Sequence, residues 1–169
     1  RDGVARIFVP SIGRRLSAAL DSKGHFHFVG SGGGGGGSYG LVAKSHTGYS
    51  LLYILGALNS KLGDWFAKVA NSRFGGGYYS FNRQYIEPIP IRPIDFKDSN
   101  DKASHDYLVA LVQRMLELHQ RLYDAKTPTD KGRLQRQIDA ADQEIDRLVY
   151  DLYGLTEEEI KIVESASVA

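Results

Sequence analysis

The chain has 169 residues, enough for one domain with a real core or for one domain and an appendage, and its 42% apolar and 24% charged content excludes wholesale disorder. It contains no cysteine, which excludes disulfides, thiolate metal sites and thiol nucleophiles, and no apolar run reaches the ~18 residues that a membrane span requires. The net charge of +1 hides an asymmetry: residues 1–100 carry 12 Lys/Arg against 6 Asp/Glu, and residues 101–169 carry 9 against 14, so a part of charge +6 precedes one of −5. A basic part joined to an acidic one is the pattern of a polyanion binder on a solvated scaffold, and on composition alone +6 over 100 residues is equally an ordinary surface charge. The chain opens on Arg1-Asp2-Gly3 rather than methionine, as a segment of a longer protein would. A cytoplasmic location is expected.

The first part reads as strands and one helix. "ARIFVPSI" (5–12) alternates and is rich in β-branched residues, which predicts a strand. "ALDSKGHFHFVG" (19–30) predicts a hairpin that turns at Asp21-Ser22-Lys23-Gly24 and continues as a strand over His25–Phe28. His25 and His27 share one face of that strand, but no third ligand stands at a recognisable spacing, so the pair reads as an exposed face. Next comes "GSGGGGGGSYG" (30–40). A P-loop would follow its last glycine with Lys and a helix, and a dinucleotide fingerprint would also open a helix. Here Gly37 leads to Ser38-Tyr39-Gly40 and a predicted strand, "YGLVAK" (39–44). A flexible linker and a native loop remain open on composition.

From Gly48 to Asn71 the period becomes helical, with Leu51, Leu52, Leu55, Leu58, Leu62, Trp65, Phe66 and Val69 on one broad apolar face. "FGGGYYSFNRQYIEPIPI" (74–91) predicts extended structure, which Pro88 and Pro90 confine to an edge or a crossing. Tyr78, Tyr79, Phe81 and Tyr85 are expected to pack rather than to stack on a ligand. "IRPIDFKDSND" (91–101) marks the expected boundary between two bodies.

Beyond it, Leu108, Leu111, Met115, Leu118, Leu122 and Ala125 recur at alternating helical spacings, and so do Leu134, Ile138, Ala141, Ile145, Leu148 and Leu152. Two such stripes, joined by "KTPTD" with Pro128 in the first turn and Thr129 or Asp130 as N-cap, predict an antiparallel helical hairpin. Gly154 closes the second helix, and Thr156 with Glu159 forms a capping box that opens a short last helix from Glu157 to about Glu164. "SASVA" is expected to fray. The same box accounts for Glu159-Ile160-Lys161, which otherwise matches the E-x-K tail of metal-dependent nucleases. No nucleophile with a base presents itself, so catalysis has no visible carrier.

"GGGSYGLVAK", "YILGALNSKLGDWFAK", "GGGYYSFNRQYIEPIPI" and "EIDRLVYDLYGLTEEEIKIVE", in that order, resemble the C-terminal specificity region of adenine-modifying DNA methyltransferases of the TaqI-like and type IIG restriction-modification kind. The resemblance implies an α+β fold: a small mixed sheet with a packed helix, residues 1–98, as the DNA target recognition domain, then a spacer hairpin with a short helix, residues 101–169. It implies double-stranded DNA and the methyltransferase domain of the same parent chain as partners. S-adenosylmethionine would be the cofactor of that other domain and not of this region, because the Asn-Pro-Pro-aromatic motif that holds the target adenine is absent here. Arg14, Arg15, Lys23, Lys44, Lys68 and Arg73 are the candidate phosphate contacts, and Ser31, Gly34, Ser38, Tyr39, Asn82, Arg83 and Gln84 the candidate base-reading residues. The alternative is a protein interaction module in which the hairpin stripes pair with another chain.

Overall fold

The computed structural model describes residues 4–26, 37–42, 48–71 and 73–167, the side chains of 73–75 and 167 excepted. The expected strand over 5–12 is two strands. In β1 (Arg6–Pro10), Ile7 and Val9 point inward and are fully buried. β1 is the centre of an antiparallel sheet, with Ile7 opposite Leu20 of β3 (Ala19–Asp21) and Val9 opposite Tyr39 of β4 (Ser38–Leu41). At the buried Ser11 the chain changes sheet. Its N–H donates to the Gly37 carbonyl at 2.9 Å, its Oγ accepts from the Gly37 N–H at 3.1 Å, and its carbonyl accepts from the Phe81 N–H at 2.7 Å. The first two continue the β1–β4 register, in which Ser11 stands opposite Gly37, while the third begins a new register opposite Phe81, so Ser11 belongs to both sheets. β2 (Ile12–Gly13) therefore pairs instead with β6 (Tyr78–Ser80), whose other neighbour is β5 (Arg73–Phe74).

The hairpin expected over 19–30 does not form within the described residues. Asp21 accepts from the His25 N–H at 3.2 Å and the Phe26 N–H at 3.0 Å, so its carboxylate removes both donors from any ladder, and β3 turns back onto β1. Gly24, with φ of 64°, sits where a Cβ would fall 2.4 Å from the Val4 carbonyl oxygen. His27 lies outside the described residues.

The single helix expected from Gly48 to Asn71 is broken into α1 (Leu51–Asn59) and α2 (Lys61–Val69) at Ser60, whose ψ of 159° is extended. The Ser60 hydroxyl caps both ends, donating to the Ala57 carbonyl at 2.8 Å and accepting from the Gly63 N–H at 3.1 Å. Gly63 permits the elbow, because a Cβ there would lie 2.4 Å from the Ala57 carbonyl oxygen. The stretch expected to be extended after β6 contains instead one helical turn, α3 (Arg83–Ile86), which turns Ile86 into the core.

The proline-rich run that follows has no strand partner among the described residues, and tyrosines take the place of a ladder. Tyr53 Oη donates to the Arg92 carbonyl at 3.0 Å. Tyr153 Oη donates to the Pro90 carbonyl at 2.6 Å and accepts from the Arg92 N–H at 3.1 Å, while Tyr49 Oη accepts from the Ile94 N–H at 3.2 Å. Burial raises the pKa of the Tyr53 and Tyr153 phenols, which keeps these donors protonated.

The hairpin is α4 (Ser99–Asp124) and α5 (Pro128–Tyr153). Thr127 is the N-cap of α5, not Thr129 or Asp130, and accepts from the Asp130 N–H at 3.1 Å with Pro128 as the first helical residue. Gly154 closes α5 at φ of 65°, and Thr156 and Glu159 exchange the two capping-box bonds at 2.8 and 3.3 Å. α6 (Glu157–Ser167) runs past the expected end at Glu164, so Ser165–Ser167 are helical and not frayed.

One core joins the sheets, α1 and the near half of the hairpin: Ile7, Leu16, Tyr53, Leu58 and Phe81 share it with Leu108, Leu111, Val112, Ile145 and Val149. A second cluster of Leu118, Leu134, Ile138 and Ala141 holds the far end of the hairpin. α1 lies close enough on α4 that a Cβ on Gly56 would come within 2.8 Å of Val112 Cγ2.

Candidate nucleic-acid interface

The predicted residues that the structure describes fall into two groups. The first is built on the loop after β2. Asp64 Oδ1 accepts from the Leu16 N–H at 2.6 Å, and the Asn59 side chain forms a two-way bond with the Ala18 backbone at 2.7 and 2.9 Å. The α1–α2 elbow thus holds Leu16 and Ala18 by their backbone, directly after Arg14 and Arg15. Arg14 rests over the Tyr78 ring, 5.2 Å from its centroid, and Arg15 donates to the Asn59 carbonyl at 3.3 Å. Both are exposed, and neither is paired with a carboxylate of the described residues.

The lysines nearby are differently placed. Lys68 Nζ stands 2.8 Å from Asp64 Oδ2 and 5.4 Å from the centroid of Tyr79, so its charge is largely spent inside the protein. Lys61 Nζ lies 3.2 Å from Asp146 Oδ2 and 3.5 Å from Glu164 Oε1. The Asp146–Lys61 contact is an ion pair rather than an aligned hydrogen bond, since the hydrogen bond of Asp146 goes from the Lys61 backbone N–H to Oδ1 at 2.8 Å. Burial raises the pKa of the Asp146 carboxyl against the pull of Lys61. Lys61 is raised as well, because Asp146 and Glu164 together outweigh the burial of its ammonium. Opposite shifts would mark a strongly favourable pair; the burial cost on Asp146 makes this one a positioning contact. A cavity of about 300 Å³ between these groups is lined by Arg14, Arg15, Lys61 and Lys68 with Asp64, Asp142 and Asp146, so one positive charge is left over.

The second group lies between β4 and α3. Tyr39 Oη donates to Asn82 Oδ1 at 3.3 Å, and Arg83 forks onto Glu87 at 3.1 and 3.0 Å. The fork holds the Arg83 pKa up and the Glu87 pKa down. Both side chains are mostly exposed, so the guanidinium can exchange this partner at small cost. Tyr39, Gly40, Leu41, Arg83, Ile86 and Glu87 line a groove of about 270 Å³. Ser38 stands in β4 opposite Pro10, Gln84 is exposed on α3, and Lys23 is exposed in the turn after β3. Ser31, Gly34, Lys44 and the side chain of Arg73 lie outside the described residues.

Reasoning from sequence missed Asn59, Asp64 and Asp146, the residues that hold the first group in place. Asn59-Ser60 inside an apolar helical pattern was the available signal, since both residues favour caps over helix interiors. Among the described residues no cluster of three or more His, Asp or Glu could hold a metal ion.

The structure thus carries a cap-organised arginine loop and a tyrosine–amide groove on a small α+β body with a helical hairpin. The chain matches the TaqI-like C-terminal specificity domain over residues 3–91 and belongs to that family. It is also 30% identical over 131 residues to the type II restriction enzyme and methyltransferase RM.Eco57I of Escherichia coli, an alignment that covers 78% of this chain and 13% of that protein.

Proposed function

We propose that this chain is the DNA-reading part of a restriction-modification adenine methyltransferase and transfers no methyl group itself. Family membership supports the recognition role, and the observation that carries it to particular residues is the pair Arg14 and Arg15, exposed, held by backbone contacts and without a carboxylate partner among the described residues. In this reading Arg14, Arg15 and Lys23 contact phosphates, joined by Lys44 and Arg73, and Lys68 acts through Tyr79 and Asp64. Tyr39, Asn82 and Arg83 face base edges with Ser38 and Gln84 beside them. Ser31 and Gly34 of the glycine-rich segment are further candidates for contact with the DNA. Forked amides and guanidinia suit adenine and guanine edges, whereas phosphate contacts set position alone.

Methyl transfer from S-adenosylmethionine, and DNA cleavage, belong in this proposal to other parts of a cytoplasmic parent protein, with whose methyltransferase domain this chain cooperates. The alternative, a hairpin that pairs with another chain through its stripes, loses its surface, since Leu111 and Ile145 are buried in the chain's own core.

Fluorescence anisotropy on a labelled duplex tests the reading. Binding should weaken steeply with salt, and Arg14→Glu with Arg15→Glu should reduce the slope of log affinity against log salt by about 1 for each phosphate that is no longer neutralised. Duplex affinity that neither salt nor the double reversal changes would overturn it.

A further inference from the structure

Sharing Arg14 and Lys68 with the cavity described above, a second cleft of about 430 Å³, within the range of small-molecule sites, is lined also by Trp65, Val69, Asn71 and Tyr79. Its walls are unusual for an idle surface. Val69, in its lining, is 66% exposed, and Tyr78, under the Arg14 that also lines it, is 40% exposed, apolar area that the fold leaves uncovered. The Tyr79 ring is held in plane by stacking on the buried Phe81, with centroids 6.5 Å apart and 25° between planes. Asn71 is fixed as well, because its Nδ2 donates to the Ser80 carbonyl, and turning the amide over would set two oxygens against each other. Its Oδ1 is thereby left as a buried acceptor with no partner, the kind of group that native structures rarely leave unmatched. Two cations stand over tyrosine rings at the same place, Arg14 on Tyr78 and Lys68 on Tyr79.

We propose that this cleft receives one unstacked nucleobase, its face against Trp65, its edge along Tyr79, its N–H edge donating to Asn71 Oδ1, and its phosphate toward Arg14. Aromatic walls suit any base because every base has a π face, an unmatched acceptor selects an edge that carries a donor, and the cation neutralises the phosphate. The base comes either from an unpaired nucleotide of bound DNA, in which case the inference builds on the DNA-reading function above, or from a free nucleotide.

Trp65 is the sole tryptophan of the chain, so its emission reports on the cleft directly. Three probes are titrated with correction for nucleotide absorption: deoxyadenosine monophosphate, a duplex with one bulged adenine, and the fully paired duplex. Deoxyribose 5-phosphate serves as the control that lacks a base, and anisotropy follows duplex binding in parallel. Saturable Trp65 quenching is expected from the base-bearing probes and from neither the paired duplex nor the sugar phosphate. Asn71→Leu should weaken it at least several-fold. Val69→Glu, a substitution at an exposed rim position, should do so with the fold intact by circular dichroism. Quenching by the mononucleotide without the bulged duplex assigns the site to free nucleotides. Equal quenching by bulged and paired duplexes without any by the mononucleotide, or by the sugar phosphate and the mononucleotide alike, overturns the inference, as does no quenching at all. If the duplexes bind by anisotropy with salt dependence while Trp65 stays silent, only the cleft assignment fails. If neither duplex binds while the mononucleotide quenches, the DNA-reading function fails and the cleft stands.

Discussion

Asp146 is the residue through which the hairpin grips the α1–α2 elbow, and its replacement separates two contributions. Its Oδ1 accepts the first N–H of α2 at 2.8 Å, and its Oδ2 faces the Lys61 ammonium at 3.2 Å. Asp146→Ala leaves that N–H and the ammonium without this partner. A hydrogen bond to a charged group contributes about 1.5–3 kcal/mol, and breaking a fully buried ion pair costs about 3–5 kcal/mol. The Lys61 side chain is 33% exposed and recovers water and Glu164, so the lower part of the combined range applies, about 2–3 kcal/mol. Asp146→Asn keeps an acceptor for the N–H and removes a charge that burial disfavours, giving up only the attraction to a part-exposed ammonium, and should cost about 1 kcal/mol or less. Urea unfolding followed by circular dichroism, with an unchanged denaturant slope, measures both. Asparagine as costly as alanine would refute the reasoning, because charge and not the N–H bond would then be the main contribution. The alkaline limb supplies a check of sign. The Lys61 pKa is raised in the folded state, so its contribution is complete below its ordinary 10.5 and is lost as pH rises through the folded value. The Asp146 variants should flatten that limb.

Gly63→Ala should destabilise by about 2–3 kcal/mol, since the new methyl meets two backbone carbonyls, at 2.4 and 2.7 Å, that cannot move aside without opening the elbow. A loss below about 0.5 kcal/mol in thermal unfolding would show the elbow to be soft. At the acid end, Asp21 is held below the ordinary carboxylate value of 3.8. Burial acts to raise it, but the N–H groups of Phe26, His25, Gly24 and Lys23 overcome that. Asp101 is lowered by its bond from Arg92 and by the Asp95 N–H. Both contributions are present above 3.8 and are lost as pH falls through the folded values, so stability should decline as pH falls below about 4, and Asp21→Asn should make that decline shallower. An unchanged acid limb would count against the turn around Asp21.

The hairpin and its caps were legible from residues alone because each signal is local. Gly154, Thr156 and Glu159 act within one helical turn, and the stripes from Leu108 to Leu152 repeat at the helical period whatever they pack against. Even so Thr127 outcompeted Thr129 and Asp130 as N-cap, a shift of two to three positions that depends on which residue leaves helical geometry first. Of the site, side-chain types were readable at Arg14, Arg15, Tyr39, Asn82 and Arg83, but not which arginine would be occupied or which lysine buried.

What the amino-acid order settled by itself was class and periodicity: an α+β body, two amphipathic helices, a capped end, and a basic half joined to an acidic one. Where the chain changes direction was decided by contacts between residues far apart. The chain passes from one sheet to the other at Ser11, which bonds to Gly37 in the first and Phe81 in the second, α1 and α2 part at Ser60 where Gly63 lets their backbones touch, and Asp146 seals that elbow from 85 positions away. Periodicity depends on neighbours within a turn, whereas these bends need hydrogen-bond partners that exist only once the chain has folded, which is why only the tertiary structure fixes them.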